Sequence, residues 1–385
     1  MATLGLMTIG CLFRVLADAA DGSLYRVVVS GPDACLLSST DSCSCDTTSP
    51  CVRPSPAGDQ PNCMSITLRV EPSATHVTWD DFCARTEPYS VALDGYVAAG
   101  PRYDHAAPRA NFNHHEEVDR LATRSTCAQV LMAIRQGLFR RFRTSSGPQL
   151  VAYVNDCDED VCTAWYLLQQ QHTAEHTMNP RLNRLVSMED ALDTTGGAYP
   201  FPVDLPILRK LAWVYDPYRC FRHRGGLQAR SAREFEEIIL QVADRIGQHV
   251  MGHGHTVDLD VEFDVIGGGP GWTMVNERGC HARLGMFARG IQTFVSVKER
   301  GDGRWDYVAG RPSPYTGPDM VALAERMNVI DSSPDDRWGG GDGFCCSPRG
   351  AGSTVSPDAF QRIVNEQLEN ELTARQGVSQ VPLRV

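Results

Sequence analysis

The stretch QLVAYVNDCDEDVCTAWYLLQQQH, residues 149–172, decides how the fold is read. From Leu150 to Val154 it is apolar on both faces, as in a central strand of a parallel sheet covered on both sides. From Glu159 onward the spacing becomes amphipathic and helical. Between the two, Asp156, Asp158 and Asp160 fall at alternate positions. A strand that ends in acids and feeds straight into a helix is one βα step of an α/β sheet. Ligands of such sheets sit beyond the carboxyl ends of the strands.

Working outward, the same rhythm recurs. SITLRV (65–70) alternates as a strand, and TWDDFCART (78–86) is a helix capped by Thr78, with Asp80 and Asp81 in its first turn. YSVALDGYV (89–97) is a short buried strand that stops at Asp94-Gly95. Helical spacing runs through 116–142, with Leu121, Val130, Leu131, Ile134 and Leu138 on or near one face. Another helix lies within 179–201, before a Gly-Gly turn, and a long helix capped by Ser231 follows. After it the period changes. HTVDLDVEFDVI (255–266) alternates apolar and acidic residues, placing Val257, Leu259, Val261, Phe263 and Val265 on one side. TFVSVKERGDGRWDYVAGR (293–311) is a hairpin turning at Gly301-Asp302-Gly303. Helices at 319–328 and 356–372 complete the pattern.

The expected architecture is α/β: a mainly parallel-sheet domain over residues 64–230, a connector helix at 231–249, and a smaller α+β domain with an antiparallel sheet at 250–371. Residues 372–385 are expected to fray. Residues 1–63 contain a short apolar run and a Ser/Thr/Pro/Asp/Cys-rich stretch without periodicity. They read as a disordered or non-essential extension rather than a secretory signal, because no basic segment precedes the apolar run and Arg14 interrupts it.

Composition narrows the function. The chain has 385 residues, 42% hydrophobic and 22% charged, the balance of an ordinary globular protein. A net charge of −11 argues against coating long nucleic acid, while leaving room for a short anionic substrate held by local arginines. No apolar run reaches the ~18 residues that would suggest a membrane span. The 14 cysteines include no CxxC pair, so a structural zinc site of usual spacing is not expected; the scattered thiols suit a reducing cytoplasm.

Three acids at one strand tip raise each other's pKa unless a cation neutralises them. Mn2+ or Mg2+ suits such oxygen donors, and Mn2+ also accepts imidazole. ANFNHHEEVDR (110–120) supplies His114 and His115. Asp94, placed before a glycine, and Asp193 in MEDALDTTGG complete the candidate metal set of Asp94, His114, His115, Asp156, Asp158, Asp160 and Asp193. For Asp158 or Asp160 the alternative is a helix cap. Asp104, His105, His253 and His255 are weaker candidates, and GGGPGW (267–272) lacks the strand-helix context of a dinucleotide site. For anion binding, Arg311 stands at a strand end. WGGGDGFCCSPRGAGS (338–353) offers Gly340, Gly341, Arg349, Gly350 and Ser353, where backbone N–H groups and a guanidinium can grip phosphate oxygens.

These residues resemble the DHH phosphoesterase superfamily. FNHHE is similar to its name-giving motif, with Asn113 in place of the first aspartate; VNDCDEDVCTAWYLL looks like its Asp-x-Asp strand end. ALDG and MEDALD are similar to its single-aspartate motifs, and the 293–311 hairpin, Arg311 and the glycine-rich segment resemble its associated domain. The likeness covers about 64–360. It departs in motif order, in Asn113, and in SPRGAG where the family carries a histidine-containing glycine motif. The resemblance implies a metal-dependent phosphoesterase, with His114, His115 and Asp158 at the catalytic centre and hydroxide attacking at a Mn/Mg site. Its substrate would be a small phosphorylated metabolite or short oligonucleotide. The alternative is a nucleotide or phosphometabolite binder that does not turn over, its metal pair broken by Asn113.

Overall fold

The computed structural model describes residues 65–72, 77–175, 178–196, 199–331 and 336–378. The expected extension at 1–63 and the end of the expected tail lie outside the described residues.

Six strands build the first sheet: β1 (Ser65–Val70), β2 (Ser90–Leu93), β3 (Arg102–Asp104), β4 (Arg109–Phe112), β5 (Arg143–Thr144) and β6 (Gly147–Val154). Their order is β1-β6-β2-β4-β3, with β5 also paired to β6. The β1/β6, β6/β2 and β2/β4 ladders are parallel, while β3 and β5 pair antiparallel. Thus β6 lies between two parallel neighbours, as its two-faced apolar character requires. The period of two is visible in the packing. Leu150, Ala152 and Val154 enter the larger core with Val91 and Leu93, whereas Tyr153 and Ala92 point the other way, towards Phe82, Tyr96 and Val97.

Helix α1 (Trp79–Arg85) covers the smaller face, and the Thr78 side chain accepts from the Asp81 N–H as its sequence predicts. The other helices are α2 (Thr126–Arg135), α3 (Leu138–Arg141), α4 (Glu159–Gln169), α5 (Gln171–Glu175), α6 (Pro180–Thr194), α7 (Pro206–His223) and α8 (Ala232–Met251). The long helix predicted over 116–142 begins only at Thr126, and Leu121 is exposed. Two acids set that start. Asp190 accepts from the Ser125 N–H, and Asp160 accepts from the N–H groups of Thr126 and Cys127. Helix α7 has no counterpart in the sequence reading: Pro217 interrupts its pattern yet lies inside the helix. The connector α8 is no free-standing strut, since Phe235, Ile238, Ile239, Val242 and Ile246 close the first core.

The second sheet comprises β7 (Phe263–Gly269), β8 (Trp272–Glu277), β9 (Phe294–Glu299), β10 (Trp305–Gly310), β11 (Gly339–Gly341) and β12 (Phe344–Cys346), in the order β11-β12-β10-β9-β8-β7. All its ladders are antiparallel except β8/β9. One face carries α10 (Met320–Ile330) and α11 (Pro357–Val378), around a stack in which Tyr307 and Phe360 lie 4.4 Å apart between ring centroids. The other face carries α9 (Ala282–Ala288). α11 runs past the expected boundary at 371. The predicted alternation over 255–266 forms a strand only from Phe263; Val265 is exposed, and the ladder shifts register just after it, between Val265 and Gly267.

Specific contacts join the two sheets. Gly196, at the end of α6, lies so close to the Phe344 ring that a Cβ there would overlap it. Arg283 donates to the Gly196 carbonyl at 2.7 Å. Lys298 Nζ reaches the His223 carbonyl at 3.5 Å, and Arg349 Nη1 lies 3.3 Å from Asp156 Oδ2. His281 belongs to the same seam. Burial, assisted by Arg219 and opposed by Asp216, depresses its pKa from 6.5 to about 3. Between those values the unfolded chain takes up a proton that the folded ring refuses, so stability falls as pH drops through 6.5. Between pH 7 and 5, this residue should remove about 2 kcal/mol. Urea unfolding of His281→Gln should therefore have a shallower acid slope than wild type. Equal slopes would refute the assignment.

No helix of the described residues is long and apolar enough to cross a membrane.

Candidate metal centre

The carboxyl ends of β2, β4 and β6 meet the start of α2 and the end of α6, and there the candidate residues gather. Asp94 follows β2 in a left-handed conformation, φ +48°, that non-glycine residues seldom adopt. Gly95 follows at φ +75°, and an added Cβ would sit 3.5 Å from the His115 ring. This tight turn aims the Asp94 carboxylate at the two imidazoles: Oδ1 lies 2.8 Å from His115 Nε2, 3.4 Å from His114 Nε2 and 3.1 Å from the Thr126 hydroxyl.

His114 is fully buried. Its Nε2 is 2.7 Å from Asp193 Oδ2 and 3.8 Å from Asp160 Oδ2. Nε2 and Asp193 Oδ2 thus form a buried ion pair, while the His114 Nδ1 has no hydrogen-bond partner. Two overlapping groups have donor atoms within 4.8 Å of one another: Asp94, His114 and His115, and His114, Asp160 and Asp193. Buried Asp and His groups could therefore hold a metal ion. A buried imidazole beside convergent carboxylate oxygens is the donor set that a hard-to-borderline divalent ion takes.

The electrostatics agree. Burial pushes Asp158 well above the carboxylate range, and Asp94, Asp156, Asp193 and Asp160 add to that push. Burial, Asp193 and Asp94 likewise drive Asp160 up to about 7, against His114 and Cys127. Burial would raise Asp94 and Asp193 too, but the histidines they touch outweigh it and hold both below the usual range. For His114, burial is overcome by Asp193 and Asp94, and its pKa rises to about 10. The pocket carries more negative than positive charge, which a divalent cation would relieve.

The remaining candidates separate by role. Asp158 caps α4, accepting from the Val161 N–H at 2.9 Å, and Asp156 accepts from the Cys157 N–H and faces Arg349. Asp160 is tied at both oxygens to the N-terminus of α2, which fixes the carboxylate against a helix dipole. The His115 side chain is 31% exposed, and Arg120 lies 3.0 Å from its Nδ1. Guanidinium only donates, so Nδ1 accepts and Nε2 carries the proton given to Asp94. Ligation through His115 Nε2 would require Arg120 to move. Asn113 turns away: Nδ2 donates to the carbonyls of Val97 and Ala99 and to Glu116, and Oδ1 accepts from the His115 N–H.

Most of the expected anion grip serves the fold. Arg311 is buried, and its guanidinium donates to the carbonyls of Asp342, Thr316 and Pro318. Arg311→Ala should cost about 2–4 kcal/mol by stranding those acceptors, measured by chemical denaturation; a loss below ~0.5 kcal/mol would sink this role. Gly340 and Gly341 pair with β12, and Gly341 brings the second sheet close to the His115 carbonyl. The N–H groups of Gly350 and Ala351 do form an anion nest, but the anion is the chain's own Asp336 carboxylate, at 2.8 and 2.6 Å. Ser353 is buried, exchanging backbone hydrogen bonds with Trp305. Arg349 alone of the expected set has an exposed side chain, at 73%, reaching the acid-rich strand end. Asp104 binds the N–H groups of Ala106 and Ala107 on the far edge of the sheet, and His255 packs on Trp213.

No family model, curated protein or solved structure matches this chain. Several residues of the site were absent from the sequence reading. Thr126 and Arg120 fix the histidine-Asp94 group, and Glu189 is a buried acid whose Oε2 has no hydrogen-bond partner. Burial, then Glu159, Asp193 and Asp160, pushes Glu189 far above the carboxylate range. The signal for Glu189 was its spacing, four residues before Asp193 on the same helical face.

Proposed function

We propose that this protein is a metal-dependent phosphoesterase acting on a small phosphorylated metabolite or short nucleotide. The observation that carries the reading is the buried His114 ring, whose Nε2 faces carboxylate oxygens of Asp94, Asp160 and Asp193 at the carboxyl edge of a parallel sheet. Mn2+ or Mg2+ bound there would act as a Lewis acid and lower the pKa of water. The residues supply the rest. The Asp94 turn and the α2 N-terminus hold two carboxylates in place, burial keeps the donors dry, and Arg349 waits on the accessible side to orient an anionic substrate. The two sheets, taken as two domains, would form the walls of the substrate cleft. Eight free cysteines among the described residues fit a reducing, cytoplasmic setting.

A second reading, a phosphometabolite binder without turnover, is favoured by Asn113 facing away from the site and by Arg120 occupying His115 Nδ1. One experiment separates them: Mn2+ titration by calorimetry with hydrolysis of bis(4-nitrophenyl) phosphate. Saturable Mn2+ binding with Mn2+-dependent turnover supports the enzyme. Nucleotide binding with no metal dependence and no turnover supports the binder, and absence of both metal binding and nucleotide binding removes both readings.

A further inference from the structure

Asp193 reaches the donor cluster from the last turn of α6. Thr195 caps that helix, and Gly196 follows in the left-handed conformation, φ +74°, with its N–H on the Asp193 carbonyl at 2.8 Å. Carbonyls at a helix end have no partner within the helix and lie at its negative pole, so donors from elsewhere must satisfy them. Two guanidinium groups do so. Arg120 Nη2 donates to the Asp193 carbonyl at 2.9 Å, from the side of the histidines. Arg283 of α9, on the second sheet, donates through Nη1 to the Gly196 carbonyl at 2.7 Å.

Arg283 is built to reach across. Its Nε is anchored on Glu277 Oε1 at 3.1 Å. Its guanidinium carbon lies 5.5 Å from the centre of the Phe294 ring and 5.9 Å from that of Phe344. Phe344 opens β12 and presses on the same turn of α6, where a Cβ on Gly196 would overlap its ring. β11 makes the companion contact: a Cβ on Gly341 would sit 4.0 Å from the His115 carbonyl oxygen. Gly340, at φ +151°, lets the β11–β12 hairpin close this tightly, because a Cβ there would overlap the Phe344 carbonyl. The glycines at 339–341 thus shape a hairpin that leans on the histidine segment and on the Asp193 turn together.

We propose that Arg283 and Phe344 are positioning residues of the metal centre. From the second sheet they clamp the end of α6, and so hold in place the Asp193 carboxylate, whose Oδ2 is 2.7 Å from His114 Nε2. A donor whose backbone is fixed from both sides keeps its geometry when an ion binds, and loss of such an outer contact weakens a metal site by ~10–100-fold. The clamp rests on the metal-site reading, and its test separates the two.

Mn2+ titration of the full chain by calorimetry is the measurement, with the folding of each variant followed by urea unfolding in EDTA. Arg283→Met still fills the space between the rings but cannot donate, and should bind Mn2+ about tenfold more weakly than wild type. Arg283→Lys, which returns one donor, should recover part of that loss. Phe344→Leu cuts the clamp from its other side and should also weaken binding; it decides the matter should Arg283→Met not fold. Lys298→Ala removes a contact between the sheets that lies at the end of α7, away from α6, and should bind as wild type does. The deciding readout is the cycle with Asp193→Asn. A residue that acts through Asp193 has nothing left to position in that background, so Arg283→Met should cost no further affinity there. Wild-type affinity in both clamp variants, an equal loss in Lys298→Ala, or a loss that adds in full to that of Asp193→Asn overturns the clamp alone. No Mn2+ binding by wild type discards the metal reading and the clamp with it.

Discussion

His114→Ala is expected to lower Mn2+ affinity and Mn2+-dependent phosphodiester hydrolysis by on the order of a hundredfold or more. Loss of even an outer partner of a metal ligand costs ~10–100-fold, and His114 is the member shared by both donor groups. His115→Ala should be milder. Its Nδ1 is engaged by Arg120, and its Nε2 serves Asp94 as a hydrogen-bond donor. Comparing the two variants by metal titration and turnover tests the ranking. Equal losses would show that Arg120 yields and both rings ligate, whereas no loss in His114→Ala would place the centre elsewhere.

Asn113→Asp should behave opposite to what the sequence resemblance suggests. Restoring the missing acid of the motif looks like a repair. In the fold, however, the Asn113 amide nitrogen lies 3.2 Å from the Val97 carbonyl, 2.9 Å from the Ala99 carbonyl and 2.6 Å from a Glu116 oxygen. A carboxylate there would confront three acceptors in a fully buried position. The expected cost is about 2–4 kcal/mol, with no added metal equivalent. Chemical denaturation and metal analysis read the two effects. A stable variant that gains a second Mn2+ would show that the side chain can swing to the donor cluster.

The large features of the fold were legible because they follow from periodicity. β6 declared itself by being apolar on both sides, and α4 by the change of period after Asp158. α8 was marked by its Ser231 cap, whose side chain accepts from the Glu234 N–H. What could not be read was tertiary. The start of α2 is fixed by Asp160 and Asp190, far away in sequence, so local spacing extended that helix too far. α7 was hidden by Pro217. At the site, the types and strand-end positions of Asp94, His114, His115 and Asp193 pointed to one place. Whether Asp158 caps a helix or Arg311 grips an anion depends on neighbours that no local pattern names.

The place of α8 in the first core has a consequence for the nascent chain. Every candidate donor is synthesised by Asp193, yet the core beneath the sheet that carries them is completed only by Phe235 to Ile246. A ribosome-bound fragment ending before that helix would carry all the candidate donors on a sheet whose core is still open. Cation capture is therefore tied to late emergence of the chain, after the donors themselves have long left the exit tunnel.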